Sequence, residues 1–523
     1  MCGISVVWGP KIDEPAFKAA LATLKARGPD DYQLGFTQFG DKELMYGFTR
    51  LHIQGAANTE QPFVTESRIV MCNGEIFNAV ELIKSRNLLV PTGSSDCAVI
   101  PALLDQGLTL VEVARCLDGD FAIVVIDLDG TIQVARDPYG VRPLFFSTNA
   151  ISSEIKGLAV ADRVTAVDPG TVVTFGPVTV TVERWHQVPW LKAPYSESTL
   201  RSALVSAVHK RMATVRSIGA CLSGGLDSSL VAAIAARVLA TQGSRLETYS
   251  IGMDGSPDLA AARVVAEHIG SRHHECVITA EECLSAIPRV IRAIESYDIT
   301  TVRASVGNYL LAEFIAKVTP DVKVVLNGDG ADEALGGYLY MRAAPDDVAW
   351  ENETDRLLQE IHRYDVLRSE RSMAAFGLES RSPFLDRQFV AVARSVPTGL
   401  LRSDTTMEKA VIRRAFEGFL PDEILWRRKE AFSDGISRAE NSWFEMARAK
   451  GECLMANPGR PGEFIGLGSY SVNPPPTAEA AWYRALFHTS YPPAAASVIP
   501  AMWMPRFITA TDPSARTLSL YTH

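Results

Sequence analysis

The chain has no pair of cysteines spaced C-x-x-C, although eight cysteines are scattered through its 523 residues. That absence removes the common zinc-site spacings and any disulfide framework, so the thiols are expected to be reduced and seven of them to act as small buried hydrophobes. Long apolar runs are missing too: FAIVVIDL is among the longest and falls far short of the roughly 20 residues that span a bilayer. The apolar ISVVW run stops at Gly9-Pro10, too soon for a secretory signal. Positive charge is not in excess. At a net charge of −10 the chain has no nonspecific cationic grip on nucleic acid. What remains is the composition of a soluble globular protein, 47% hydrophobic and 21% charged. These absences predict a cytoplasmic location and small-molecule partners rather than membranes or nucleic acids. The length exceeds one hydrophobic core and implies roughly two to four domains.

Two rhythms divide the chain. Residues 1–185 read as mostly β, with runs GISVVW, RIVMCN and FAIVVIDLDGTIQVAR, the last a hairpin around Asp129-Gly130. Phe17, Ala20, Leu21 and Leu24 recur at helical spacing and predict one early helix. Residues 186–198, with two prolines and little periodicity, read as a linker. From 199 to 523 short apolar strands (RSIGACLS, LETYSIG, HHECVIT, VKVVLNG) alternate with helices, the pattern of a doubly wound parallel sheet that binds ligands at the carboxyl ends of its strands. The tail beyond about 455 is rich in Pro and Ala and is expected to wrap the surface.

CLSGGLDSS is the most specific stretch. A strand ends at Leu222; Ser223, Gly224 and Gly225 turn the backbone so that its N–H groups converge; Asp227-Ser228 opens a helix. Converging amides at a helix N-terminus make an anion cradle. No Gly-Lys-Ser/Thr follows, so this is not a Walker loop. A plain Gly-Gly turn with an Asp cap is the duller explanation. VLNGDGADEALGGY weakens it, because a second strand terminus bearing Asp329, Asp332 and Glu333 suits Mg²⁺ held between carboxylates and pyrophosphate oxygens. Downstream, Lys429 offers a cation for phosphates as charge builds. His273-His274 open a strand and make no metal spacing.

The opening MCGIS places Cys2 where removal of the initiator Met would give one residue both a thiol and a free α-amine, the latter able to act as base for the former. By itself that position means little. Arg50, Asn73-Gly74-Glu75 and Asp96 change the odds: a thiolate that cleaves an amide needs oxyanion donors, for which Asn73 and the Gly74 N–H are apt. A glutamine carboxylate needs a clamp such as Arg50, and its ammonium an acid such as Asp96.

On these motifs the chain resembles the glutamine-hydrolysing asparagine synthetases of the B type over nearly its full length. MCGI, RGPD, NGEIFN, SSDC and RDPYGVRPLF are similar to a class II glutamine amidotransferase; SGGLDSS, YDITTVRAS, GDGADE, SRSPFLD, MEKAVIRRAF and RRKEAFSDG are similar to an ATP-pyrophosphatase synthetase. The resemblance implies an α+β N-terminal sandwich of antiparallel sheets, of the N-terminal nucleophile type, followed by an α/β domain. It implies glutamine hydrolysis through Cys2, adenylation of aspartate by ATP with Mg²⁺ to β-aspartyl-AMP and pyrophosphate, and attack by ammonia passed between the sites. It also suggests a homodimer. Carried over, Arg50, Asn73, Gly74, Glu75 and Asp96 handle glutamine. Leu222, Ser223, Gly224, Gly225, Asp227, Ser228, Ile251, Asn327 and Gly328 bind ATP. Thr301, Arg303 and Lys429 surround the intermediate and its phosphates, and Asp227 and Asp332 hold the metal. The chain departs from the family at Asn327 and Asp329, which replace a Ser and a catalytic Glu; the carboxylate at 329 is one methylene shorter. A ligase amidating another carboxylic acid, and a non-catalytic nucleotide sensor, are the alternatives.

Overall fold

The structure, a computed structural model, describes residues 1–40, 42–56, 61–176, 179–187, 190, 194–402, 407–429, 435–437, 442–456, 470–510 and 512–514. Parts of the expected linker (188, 189 and 191–193) and of the tail (457–469, 511 and 515–523) therefore lie outside the described residues. Among the described residues twelve strands make the N-terminal unit: β1 (Gly3–Gly9), β2 (Asp31–Phe39), β3 (Lys42–Arg50), β4 (Phe63–Val64), β5 (Arg68–Ile76), β6 (Gly119–Asp127), β7 (Ile132–Arg136), β8 (Phe145–Phe146), β9 (Ala150–Ser152), β10 (Thr165–Ala166), β11 (Thr171–Phe175) and β12 (Val180–Arg184). They form two six-stranded antiparallel sheets, ordered β10-β8-β9-β1-β3-β2 and β12-β11-β7-β6-β5-β4.

The run in β6 shows why the sandwich forms. Successive side chains of a strand point to opposite faces. Ala122, Val124 and Ile126 pack on Ile4 and Val6 of the facing sheet, while Phe121, Ile123 and Val125 pack on the helical layer carrying Val99, Leu103 and Val113. Both faces are covered, so the strand is apolar throughout instead of alternating. The hairpin from β6 to β7 turns through Gly130, at φ +90°. The predicted early helix is Glu14–Ala22, capped by Asp13, with Phe17 and Leu21 buried.

The second unit is a five-stranded parallel sheet, ordered β15-β14-β13-β16-β17, from β13 (Ser217–Cys221), β14 (Glu247–Met253), β15 (Arg272–Ile278), β16 (Val322–Leu326) and β17 (Glu379–Arg381). The first four match the apolar runs that predict strands; β17 is three residues long and too short to announce itself. Helices Leu226–Thr241, Pro257–Ile269, Ala280–Ile294 and Ile299–Val318 link the strands. Helix Ala280–Ile294 is fixed at its start by a capping box between Thr279 and Glu282, and its stripe Cys283, Ala286, Ile287, Val290, Ile291 and Ile294 is buried. Losing that Thr cap would cost about 1 kcal/mol. Chain order reverses at β13, whose neighbours are β14 and β16. Such a switch point leaves a crevice beyond the carboxyl ends of the strands. The loops after β13 and β16 are the two glycine-rich stretches described above, so strand order alone brings them together.

Two expectations are corrected. The C-terminal tail does not merely wrap the surface: helix Ala478–Ser490 buries Ala481, Tyr483 and Phe487 in the core shared with Ile287 and Val290. The apolar spacing in AEAAWYRALFH outweighs the prolines around it. Not every cysteine besides Cys2 is a buried hydrophobe, for Cys453 is exposed and Cys116 and Cys221 are half-buried. No helix among the described residues is long and apolar enough to cross a membrane.

Candidate active sites

The first site forms where β1 begins and β3 ends. Antiparallel pairing sets Gly3 opposite Thr49, which puts Cys2 beside Arg50. Cys2 donates its backbone N–H to Oδ1 of Asn73 at 2.8 Å, and its thiol lies 4.0 Å from the Leu51 carbonyl. Asn73 is fully buried, and its Nδ2 has no partner. An amide donor stripped of water and left unpaired is costly unless something comes to accept from it. Asn73 therefore brings an unsatisfied amide donor to the residue that carries the thiol. At Gly74 an added Cβ would stand 2.1 Å from the Asp120 carbonyl, so β5 and β6 leave no room for a side chain there.

Asp96 starts a short 3-10 turn and accepts the Ile76 N–H at 2.5 Å; burial pushes its carboxyl up to about 6. Glu75 is buried, and its carboxylate lies 3.1 Å from Arg381 of the second unit. Burial, then the charge of Asp96, raises its pKa. Arg50 is turned toward the loop after β3, with Nη2 within 3.4 Å of the Gln54 and Ala56 carbonyls. Burial raises the Cys2 thiol, and the N-terminal ammonium pulls it part of the way back. Met1 is itself buried, its ammonium 3.3 Å from Glu379 across the interface.

Sequence reasoning missed what holds Cys2 from behind. Arg27 Nε donates to the Cys2 carbonyl at 2.9 Å, and its guanidinium pairs with Glu154 at 2.6 Å and with Glu370 of the second unit. RGPD flagged the residue, but its partners lie 127 and 343 residues away.

The second site is a cavity of about 230 Å³ at the switch point. Leu222, Ser223, Gly225, Asp227, Ser228, Ile251, Thr301, Arg303, Asn327, Gly328, Asp329, Asp332 and Lys429 all line it, which gathers nearly every predicted synthetase residue. Gly224 stands behind the loop at φ +72°, where a Cβ would be 2.4 Å from Ala261. Ser223 and Ser228 hold the loop through a 3.0 Å hydroxyl contact, and Ser228 accepts the Ser223 N–H at 3.2 Å. Gly328 lies so close to the helix start that a Cβ would meet the Ser228 N–H at 2.8 Å.

Charge in the cavity is organised by Lys409, which lies within MEKAVIRRAF and to which the resemblance assigns no role. Its side chain is 1% exposed and reaches both oxygens of Asp227, at 2.8 and 2.6 Å, and Asp332 at 2.7 Å. Lys429 pairs with the other oxygen of Asp332. Burial alone would raise the Asp332 carboxyl, but the two lysines hold it well below the usual carboxylate range. Asp227 and Asp332 thus face one point from two strand ends. Two carboxylates meeting at one cation, beside a phosphate cradle, fit Mg²⁺, which takes one or two protein carboxylates and completes its shell with phosphate and water. Among the described residues no cluster of three or more such ligands exists, so the nucleotide and water would have to supply the rest of that shell.

Asp329 accepts from Arg368 at 3.0 Å, while its Oδ2 is buried and unpaired; burial raises its pKa against the pull of Arg368. Asn327 uses its amide on Ser380 and Ser382, at 2.8 and 2.9 Å, so its side chain ties β16 to β17. Thr301 gives both its N–H and its hydroxyl to Asp298 at 2.8 Å, closing the N-terminus of helix Ile299–Val318. Arg303 is clasped by Glu479, at 2.9 and 2.6 Å, and by Asp512, at 2.8 and 2.9 Å. His273 bonds Thr248 and Ser250, and His274 bonds Glu247, both outside the cavity.

A buried Cys2 held by a buried Asn73 in an antiparallel sandwich, joined to a glycine-rich loop at the switch point of a parallel sheet, is the arrangement expected of a glutamine amidotransferase coupled to an ATP-dependent synthetase. Comparison with known proteins agrees. The glutamine amidotransferase domain model matches residues 1–186, and the asparagine synthase model matches 199–354 and 344–452. Over 574 residues the chain is 38% identical to an asparagine synthetase [glutamine-hydrolyzing] of Gallus gallus, covering 100% of this chain and 99% of that one. The Homo sapiens protein of the same name is 38% identical over 571 residues, with the same coverage. A solved NMN synthetase from Francisella tularensis covers 46% of this chain and 85% of that one at 14% identity, with a TM-score of 0.23, too low to bear on the fold. The chain belongs to the glutamine-hydrolysing asparagine synthetase family. A different acceptor acid is not favoured by these relatives.

Proposed function

We propose that the protein makes asparagine from aspartate, glutamine and ATP in three balanced steps. At Cys2, the thiolate attacks the glutamine amide, releasing NH₃ and leaving a thioester that water cleaves to glutamate. The freed α-amine of Cys2 takes the thiol proton and hands it to the departing nitrogen. Asn73 Nδ2 steadies the oxyanion, and Arg50 with Asp96 and Glu75 hold the two ends of glutamine. At the second site the aspartate β-carboxylate attacks the α-phosphorus of ATP, giving β-aspartyl-AMP and pyrophosphate. Ammonia then displaces AMP, losing one proton, for which the buried carboxylate of Asp329 in the cavity wall is a candidate acceptor.

The Ser223–Gly225 turn at the helix start, with Lys429, receives the pyrophosphate. Asp227 and Asp332 would hold Mg²⁺, which when bound neutralises the phosphate oxygens. Ammonia in neutral water is mostly protonated and unreactive, so the buried interface between the sites serves to keep it dry.

One observation carries this reading: Asn73 binds the Cys2 backbone through Oδ1 while its Nδ2 is buried and unpaired. Replacing Cys2 with Ala tests it. Glutamine-dependent synthesis should vanish while synthesis from ammonium chloride persists, with AMP and pyrophosphate as products. Equal loss of both activities, or ADP in place of AMP, sinks the proposal.

A further inference from the structure

We infer that Asp512, in the C-terminal segment, is a specificity-determining residue of the acceptor site: it occupies the guanidinium of Arg303 and gives way to a carboxylate of the incoming acid. This rests on Arg303 being an acceptor-site residue, as proposed above.

The donors of Arg303 can be counted. A guanidinium has five N–H groups. Nε and one Nη2 hydrogen go to Glu479, while the other Nη2 hydrogen and one from Nη1 go to Asp512. One N–H is left. No further carboxylate can bind in the two-pronged manner that arginine favours while Asp512 is in place.

Charge leads to the same conclusion. Glu479 and Asp512 already take up the Arg303 guanidinium, with Arg448 a further cation acting on Asp512, so a third carboxylate could pair with Arg303 only by displacing one of them. One of the two must leave. Glu479 is 1% exposed, is fixed inside helix Ala478–Ser490, and accepts a 2.7 Å bond from Tyr483. The Asp512 side chain is 14% exposed and sits on an irregular segment, so it is the one that moves.

That segment belongs to the cavity. Trp503, Pro505, Pro513 and Ser514 line it beside Thr301 and Arg303. Trp503 donates its N–H to Asp298 Oδ2 at 2.7 Å, the other oxygen of that carboxylate being the one that caps Thr301. Its ring leans on Tyr338 and Tyr340. The segment is anchored at Trp503, and the Ser514 N–H holds Asp512 in position at 2.8 Å. Asp512 presents the CH₂–COO⁻ group that free aspartate carries.

Aspartate-dependent ATP–pyrophosphate exchange in the full chain, compared with the Asp512→Asn variant, tests this. If the closed form outweighs the open one by about ten to one, the variant's aspartate KM falls about tenfold, because only the open fraction binds. Its maximal exchange rate should be little changed, whereas a purely structural role would lower the rate and leave KM alone or raise it. An aspartate KM that is unchanged or raised in Asp512→Asn overturns the inference. Equilibrium binding of aspartate without ATP answers the same question should the variant turn over slowly: tighter binding supports the inference, equal or weaker binding refutes it. Wild-type protein with no aspartate-dependent exchange at all would instead strike the proposed function.

Discussion

Replacing Lys409 with Met isolates the charge balance of the synthetase cavity. Met keeps the length and apolar stem of the side chain and removes the ammonium that lies within 2.8 Å of Asp227 and Asp332. Asp332 keeps Lys429, but Asp227 is left with Lys429 at 4.0 Å. Stripping one partner from a buried ion pair costs about 3–5 kcal/mol, and the 14% and 12% exposure of the two aspartates argues for the lower end, about 3 kcal/mol. In a domain of this size that corresponds to a fall of roughly 5 °C or more in melting temperature. The pH dependence has a definite sign. The Asp332 carboxyl is held below its ordinary value in the folded protein. Its stabilising contribution is therefore present above the ordinary carboxylate range and is lost as pH falls through the folded value. The deficit of Lys409→Met should be full at neutral pH and shrink in acid. Thermal unfolding with and without MgCl₂, nucleotide absent, is the assay. Mg²⁺ should raise the melting temperature of the variant more than that of the wild type, because the two carboxylates are then left sharing Lys429 alone. A variant that melts with the wild type, or gains no more from Mg²⁺, would refute the reading of Lys409 as the counter-ion of this acidic pair.

Other outcomes follow from the glutaminase site. Asn73→Ala removes the unpaired Nδ2, and the loss of one oxyanion donor should lower the kcat of glutamine hydrolysis by about 10²–10³ while ammonia-dependent synthesis stays near wild type. An unchanged kcat would remove Asn73 from the oxyanion hole. Burial pushes Asp96 up to about 6, so the free enzyme gains a proton there and loses its grip on the glutamine ammonium as pH falls through that value. kcat/KM for glutamine should decline on the acid side of pH about 6, and Asp96→Asn should flatten that limb; a limb that persists in the variant belongs to another group.

The sequence was enough for much of the architecture because local patterns carried it. Apolar runs marked β1, β5 and β6, and the alternation of short apolar strands with helices marked the parallel sheet of the second unit. The Gly-Gly turn before Asp227 and the acidic loop after β16 were visible as motifs, since each needs only a few adjacent residues. β17 and the buried C-terminal helix were harder, because one is three residues long and the other is surrounded by prolines.

What the sequence determined by itself is which chemical groups are available and on what local scaffold: a thiol at position 2, an Asn-Gly-Glu run on a strand, a Gly-Gly turn at a helix start. What only the tertiary structure decided is which distant charges meet. Lys409 crosses 182 residues to Asp227, Arg27 crosses 343 to Glu370, and Asp512 crosses 209 to Arg303. A lone Lys, Arg or Asp looks the same in sequence whether solvated or buried. Only the packing of sheets and helices removes water from such groups, and removing the water is what obliges each to find its partner.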